Sequence, residues 1–140
     1  MANILLLDDN ETFLKLQGEF LRCSGHRVAT FTDGSKALQM VHRKSFDLLI
    51  TDLIMPDKEG IEIIIELHRK LPDLKIIAMS GGSRVGARDW LVMAKKLGAS
   101  HTLIKPFSGE QLLEVVNSAL REAESQKAGI TLSENDKQRP

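Results

Sequence analysis

Short apolar runs alternate with amphipathic stretches along the whole of this chain. Asn3–Leu7, Arg27–Phe31, Phe46–Thr51, Leu74–Met79 and His101–Ile104 have the length and composition of strands, and the first is apolar enough to be buried. Between them the period changes. Glu11–Ser24 puts Phe13, Leu16 and Phe20 on one helical face, with Leu14 and Leu21 beside it. Asp33–Lys44 carries Ala37, Leu38 and Val41 at helical spacing. Ile61–Leu71 fits either type on periodicity, because Ile63-Ile64-Ile65 is β-branched; its length and the following Pro72 favour a helix. Trp90, Met93, Ala94 and Leu97 mark another helix, and a last one runs to about Glu124 with Leu112, Leu113, Val116, Ala119, Leu120 and Ala123 on its buried face.

The helix ends carry matching punctuation. Asn10 can accept from free amides of the first turn that follows it. Gly25 and Gly98 stand where helix C-termini favour glycine. Ser108-Gly109-Glu110-Gln111 fits a capping box, Ser bonding forward and Gln reaching back. Strands alternating with helices imply an α/β fold, a doubly wound parallel sheet with helices on both faces. The text turns polar and aperiodic from Ser125 to Pro140. The expectation is one domain over 1–124 and a disordered polar tail over 125–140.

Composition narrows the function. With 19 Lys+Arg against 19 Asp+Glu in 140 residues the net charge is zero, which gives no support to a nucleic-acid binder. Hydrophobic residues at 42% and charged residues at 27% are ordinary for a globular chain. The lone Cys23 excludes an internal disulfide and any multi-thiolate metal site; it reads as a small core hydrophobe. No secretory signal and no membrane-length apolar run is visible, so a cytoplasmic location without membrane contact is expected. His26, His42, His68 and His101 are scattered without ligand spacing.

In open parallel sheets, ligands sit beyond the carboxyl ends of the strands. Reading only those positions gives Asp8 and Asp9 after the first strand, Asp52 after the third, Ser80 after the fourth, and Lys105-Pro106 after the fifth. Three carboxylates within ~5 Å repel by about 3 kcal/mol per pair at an effective dielectric near 20, and one lysine cannot offset that. Either a carboxylate is protonated or a cation binds. Hard oxygen donors suit Mg²⁺. One carboxylate is then available as a nucleophile toward phosphorus, forming an acyl phosphate.

With these residues in order, the chain resembles a response-regulator receiver domain of two-component signalling, over roughly Asn3–Glu124. The matching pieces are Leu7-Asp8-Asp9-Asn10, Asp52-Leu53-Ile54-Met55-Pro56 with Gly60, Ser80, Gly98-Ala99 and Lys105-Pro106-Phe107. The resemblance implies a five-stranded sheet in the order 2-1-3-4-5. It implies that Asp52 accepts the phosphoryl group from a sensor histidine kinase or histidine phosphotransfer protein. Mg²⁺ would be held by Asp8, Asp9, Asp52 and the backbone carbonyl of Ile54. Lys105 would pair with the phosphoryl oxygens, Ser80 would hydrogen-bond them, and the Lys105–Pro106 bond would be cis. Such a protein catalyses its own phosphorylation and dephosphorylation, not the turnover of an external substrate, and signals to a protein target by contact. After Glu124 there is no room for an output domain within this sequence.

Two departures from the family stand out. Thr102 occupies the place where an aromatic switch residue is usual, and the stretch Ser80-Gly81-Gly82-Ser83-Arg84-Val85-Gly86 is longer and richer in glycine. Both point to a loop and following helix that carry the signal. Other readings are a Mg²⁺-dependent phosphohydrolase with an Asp nucleophile, which usually shows Asp-x-Asp after the first strand, and a receiver excised from a larger regulator. Ser80–Gly86 matches neither a P-loop nor a dinucleotide fingerprint. Asp57 and Glu59 read as solvated charges at a helix start. Trp90 and Phe107 read as packing, and Ile54 either packs or shields the acceptor.

Overall fold

A strand with helices above and below it meets apolar side chains on both faces, so it can be apolar at every position. β1 (Asn3–Leu7) shows this, with Ile4, Leu5, Leu6 and Leu7 all at 1% exposure or less. The computed structural model describes residues 1–54, 60–81 and 86–137, and side chains as far as 125. After β1 come α1 (Glu11–Cys23), β2 (Arg27–Phe31), α2 (Gly34–Arg43), β3 (Leu48–Asp52), α3 (Gly60–Lys70), β4 (Lys75–Gly81), α4 (Ala87–Leu97), β5 (His101–Lys105) and α5 (Gly109–Lys137). All five strands pair in parallel, in the order β2-β1-β3-β4-β5. The sheet order and the doubly wound architecture are those expected.

Strand alternation divides the core in two. Leu5, Leu7, Leu49, Ile76 and Ala78 face α2, α3 and α4, where Ala37, Leu38, Val41, Ile63, Ile64, Leu67, Leu91 and Ala94 meet them. Ile4, Leu6, Leu48, Ile50, Ile77, Met79 and Leu103 face α1 and α5, against Leu14, Leu21, Leu112, Val116 and Ala119. Each fully buried Leu or Ile contributes about 1.5–3 kcal/mol relative to exposure. The caps form as the sequence indicates. Asn10 Oδ1 accepts from the Phe13 amide at 3.0 Å. Ser108 Oγ accepts from Gln111 N–H at 3.1 Å, while Gln111 Oε1 accepts from Ser108 N–H at 2.8 Å. Gly25 and Gly98 take φ of +98° and +137°, conformations that side chains rarely adopt.

Four expectations need correction. Leu16 is 61% exposed, because Leu14, Gly18 and Leu21 form the inner stripe of α1, with Phe13 and Phe20 packed partly buried at its side and Leu16 turned outward. Met93 is likewise exposed, its place toward the core taken by Leu91 and Ala94, with Trp90 partly buried beside them. Cys23 is exposed at the end of α1, not in the core. α5 is helical through Lys137, beyond Glu124 where the apolar periodicity stops; extending a formed helix adds one hydrogen bond per residue without a new nucleus. Among the described residues no helix is long and apolar enough to cross a membrane.

Candidate functional site

The register brings the strand ends to one rim. Leu7 stands beside Thr51, Asp52 beside Met79, Ser80 beside Ile104, and Gly81 beside Lys105. The order of strands reverses at β1 and β3, where crevices open at the carboxyl ends of such sheets. Asp8, Asp52 and Lys105 share the pleat phase of Ile4, Ile50 and Leu103, so all three lie on the α1 side of the sheet.

Asp8 is fully buried. Its Oδ1 accepts from the Asn10 amide at 2.9 Å and its Oδ2 accepts from Lys105 Nζ. Asp52 is 4% exposed, and its Oδ1 lies 3.6 Å from the same Nζ. Asp9 is exposed at the mouth. One carboxylate oxygen from each of Asp8, Asp9 and Asp52 falls within 4.8 Å of the others. Among the described residues this is the one cluster of three or more side chains able to ligate a metal.

The backbone of Asp52 is tightly fixed. Thr51 Oγ1 donates to the Asp52 carbonyl at 2.9 Å, and Leu53 N–H donates to the Met79 carbonyl at 3.0 Å. Gly60 N–H donates to the Leu53 carbonyl at 2.8 Å, and a Cβ on Gly60 would stand 1.9 Å from the Asp52 carbonyl oxygen. Only glycine lets the start of α3 come so close. Ser80 is 1% exposed and its Oγ has no hydrogen-bond partner among the described residues. A buried hydroxyl left in that state costs about 1–3 kcal/mol, which marks it as a group poised for an incoming acceptor.

Two features were not legible as site residues. The Phe13 ring lies under Lys105 Nζ, 4.3 Å from ring centroid to nitrogen, and Phe107 meets that ring at 84°. Phe13 reads in sequence as one more apolar helix position; only its place one turn past Asp9 hints at the rim. Ile54 is half-buried against the α3–α4 core, and Thr102 is half-buried opposite Ala78. The Lys105–Pro106 bond is cis. Met55, Pro56, Asp57, Glu59 and the loop positions 82–85 lie outside the described residues. The histidines stay apart from the rim. His26 Nδ1 accepts from the Ala2 amide at 3.2 Å, and burial, then the nearby N-terminal ammonium, lowers its pKa. His101 Nε2 lies 3.3 Å from Glu122 Oε1.

The donor set fits a hard divalent cation. All three ligating groups are carboxylates, two of them are buried, and Lys105 brings one positive charge to Asp8 and Asp52. Chemically, the rim can bind such an ion and present one buried carboxylate, a lysine and an unsatisfied hydroxyl to a phosphoryl group.

Comparison with known proteins gives the family. The response regulator receiver domain family matches residues 4–117. The DNA-binding transcriptional regulator NtrC of Azospirillum brasilense is 36% identical over 122 residues, covering 85% of this chain and 24% of that protein. The transcriptional regulatory protein CpxR of Klebsiella pneumoniae is 34% identical over 121 residues, covering 86% of this chain and 50% of that protein. Among solved structures, a response regulator receiver domain protein from Clostridium thermocellum superposes with a TM-score of 0.81 at 28% identity, covering 89% of this chain and 98% of that one. NtrX from Brucella abortus superposes with a TM-score of 0.87 at 25% identity, over 94% of this chain and 30% of that one. The chain thus spans about a quarter of the length of the first curated relatives it matches.

Proposed function

The chain belongs to the response regulator receiver domain family, and from that membership we propose that Asp52 accepts a phosphoryl group from a phosphohistidine on a sensor kinase or histidine phosphotransfer protein. The observation that carries the assignment is the buried Asp52 carboxylate with Lys105 Nζ 3.6 Å away in a pocket shared with Asp8 and Asp9. An oxygen of Asp52 attacks phosphorus, the P–N bond to the imidazole breaks, and the imidazole leaves as it takes a proton. Water attacking the same phosphorus later restores the carboxylate and releases inorganic phosphate.

Each neighbour has a task in that transfer. Lys105 offsets charge on the phosphoryl oxygens. Ser80 Oγ donates a hydrogen bond to one of them. Asp8, Asp9, Asp52 and the Ile54 carbonyl would hold Mg²⁺, which when bound neutralises charge between the carboxylates and the phosphoryl group. Asn10 N–H and Lys105 fix the Asp8 carboxylate in place.

We take the receiver as 1–124 and the cytoplasm as its location, with signalling by protein contact. Transcriptional activity belongs to the relatives. A second reading has support in their length: this chain corresponds to the receiver portion of longer regulators, in which another segment gives the output. The test is incubation with Mg²⁺ and acetyl phosphate. Wild type gains an acid-stable, base-labile phosphoryl adduct and Asp52→Asn does not; steady hydrolysis of small phosphate esters without an adduct would support the phosphohydrolase instead.

A further inference from the structure

Among the described residues Lys105 has three charged or aromatic neighbours, Asp8, Asp52 and Phe13, and of these the ring alone stays constant during the proposed reaction. Asp8 Oδ2 accepts from its ammonium, and Asp52 Oδ1 lies 3.6 Å away. Asp8 would share its charge with a bound cation, and the carboxylate of Asp52 gives way to an anionic phosphoryl group when it becomes an acyl phosphate. The anionic partners of the lysine thus change from carboxylate to phosphoryl oxygens during the transfer, and a neighbour that does not change can keep the ammonium in place throughout. The third neighbour is the face of Phe13, 4.3 Å from ring centroid to Nζ. An ammonium over an aromatic face is attracted by the ring quadrupole, which phosphorylation leaves unchanged.

The ring is itself held. Phe13 sits at the start of α1, where Asn10 caps the helix through the Phe13 amide. Phe107, just past the cis Lys105–Pro106 bond, meets the ring at 84° with centroids 5.8 Å apart. Both rings pack against the core shared by α1 and α5. The side chain of Lys105 is 22% exposed, so water is open to its ammonium if the ring is removed.

We propose that Phe13, braced by Phe107, is a positioning residue that holds the Lys105 ammonium over the acidic pocket through its ring face. The inference rests on the roles assigned above to Asp52 and Lys105.

The experiment combines two readouts on the full chain. The first is the NMR shift of the Lys105 ε protons, which the ring face moves upfield. The second is the rate of labelling by acetyl phosphate with Mg²⁺. Phe13→Tyr keeps the upfield shift and labels within about two-fold of wild type, whereas Phe13→Leu loses the shift and labels about five-fold more slowly. Pentafluorophenylalanine at position 13 keeps the ring's shape but reverses its quadrupole, and it slows labelling as Leu does. In a Lys105→Ala background Phe13→Leu has no further effect. Wild-type labelling with the fluorinated ring, or an equal loss with and without Lys105, overturns the proposal by reducing Phe13 to packing. If wild type takes no phosphoryl group, the functional reading falls, and the ε-proton shift alone still decides the clamp: present in wild type and lost in Phe13→Leu supports it, absent in wild type overturns it.

Discussion

The Nζ of Lys105 lies 3.6 Å from Oδ1 of Asp52, reaching from the end of β5 past β4 to the end of β3. The same ammonium contacts Asp8 on β1's exit, so one positive charge serves two buried carboxylates from different strands.

That sharing sets lysine and divalent ion in competition for the same oxygens. Lys105→Ala should therefore bind Mg²⁺ more tightly than wild type, by about ten-fold, since removing a like charge from beside the ion's ligands is worth about 1–2 kcal/mol once water and salt screen it. Titration calorimetry measures this. The same variant should label more slowly with acetyl phosphate, because the phosphoryl oxygens lose their counter-charge. Weaker Mg²⁺ binding in Lys105→Ala would speak against the shared-charge picture.

Mg²⁺ should raise the melting temperature of the wild type, because an ion that binds the folded pocket and not the unfolded chain stabilises by mass action. Asp9→Asn and Asp52→Asn should shrink that rise. Asp9 is exposed, so its substitution should leave the metal-free melting temperature almost unchanged and isolate the ligand effect. Differential scanning fluorimetry over a Mg²⁺ series, with EDTA to remove the ion, gives the comparison.

Gly60→Ala should destabilise the fold and disturb the site together. The added Cβ would meet the Asp52 carbonyl oxygen at 1.9 Å, which neither backbone can accept without moving. Overpacking of this kind costs about 1–3 kcal/mol or more. Urea unfolding should show the loss, and the Asp52 amide shift should move. An unchanged unfolding midpoint would mean that α3 is free to retreat.

His26 gives a pH dependence away from the rim. Burial and then the N-terminal ammonium lower its folded pKa below the ordinary 6.5. The neutral ring is thus favoured in the folded state, where Nδ1 accepts from the Ala2 amide at 3.2 Å. The stability it contributes is present above 6.5 and is lost as the pH falls below 6.5 through the folded value. His26→Gln, which keeps an acceptor without titrating there, should flatten the drop in unfolding midpoint between pH 7.5 and 5.5. Identical drops in the two proteins would contradict this.

Much of the fold was legible because its signals are local. β1 and β2 begin and end where their apolar runs do, and the Asn10 and Ser108–Gln111 caps form as the residue types require. The site was legible for a related reason: Asp8 follows β1, Asp52 and Lys105 end β3 and β5, Ser80 is the last residue but one of β4, and parallel strands leave the sheet on one side. What escaped depends on rotation and on long-range packing. A stripe of Phe13, Leu16 and Phe20 has the same period as Leu14, Gly18 and Leu21, and only contact with the sheet selects the second. The neighbour of Phe13 is Lys105, far away in sequence, and no spacing reports it. Gly60 looks like a loop glycine until the Asp52 carbonyl is seen beside it.

Exchange of α4 amides should respond to the site. Thr102 offers no ring to swing inward, and Ser80 is the last residue but one of the strand that leads to α4. With Mg²⁺ and beryllofluoride, a phosphoryl mimic, hydrogen exchange over 87–97 should change relative to the metal-only protein. Equal protection in both states would remove α4 as the element that carries the signal.

The most direct measurement locates the acyl phosphate itself. Borohydride reduces an aspartyl phosphate to homoserine, so treatment after reaction with acetyl phosphate and Mg²⁺, followed by peptide mass spectrometry, reads the position. The account predicts homoserine at position 52, absent when Mg²⁺ is withheld. Homoserine at 8 or 9 instead, or none anywhere in the phosphorylated wild type, would contradict it.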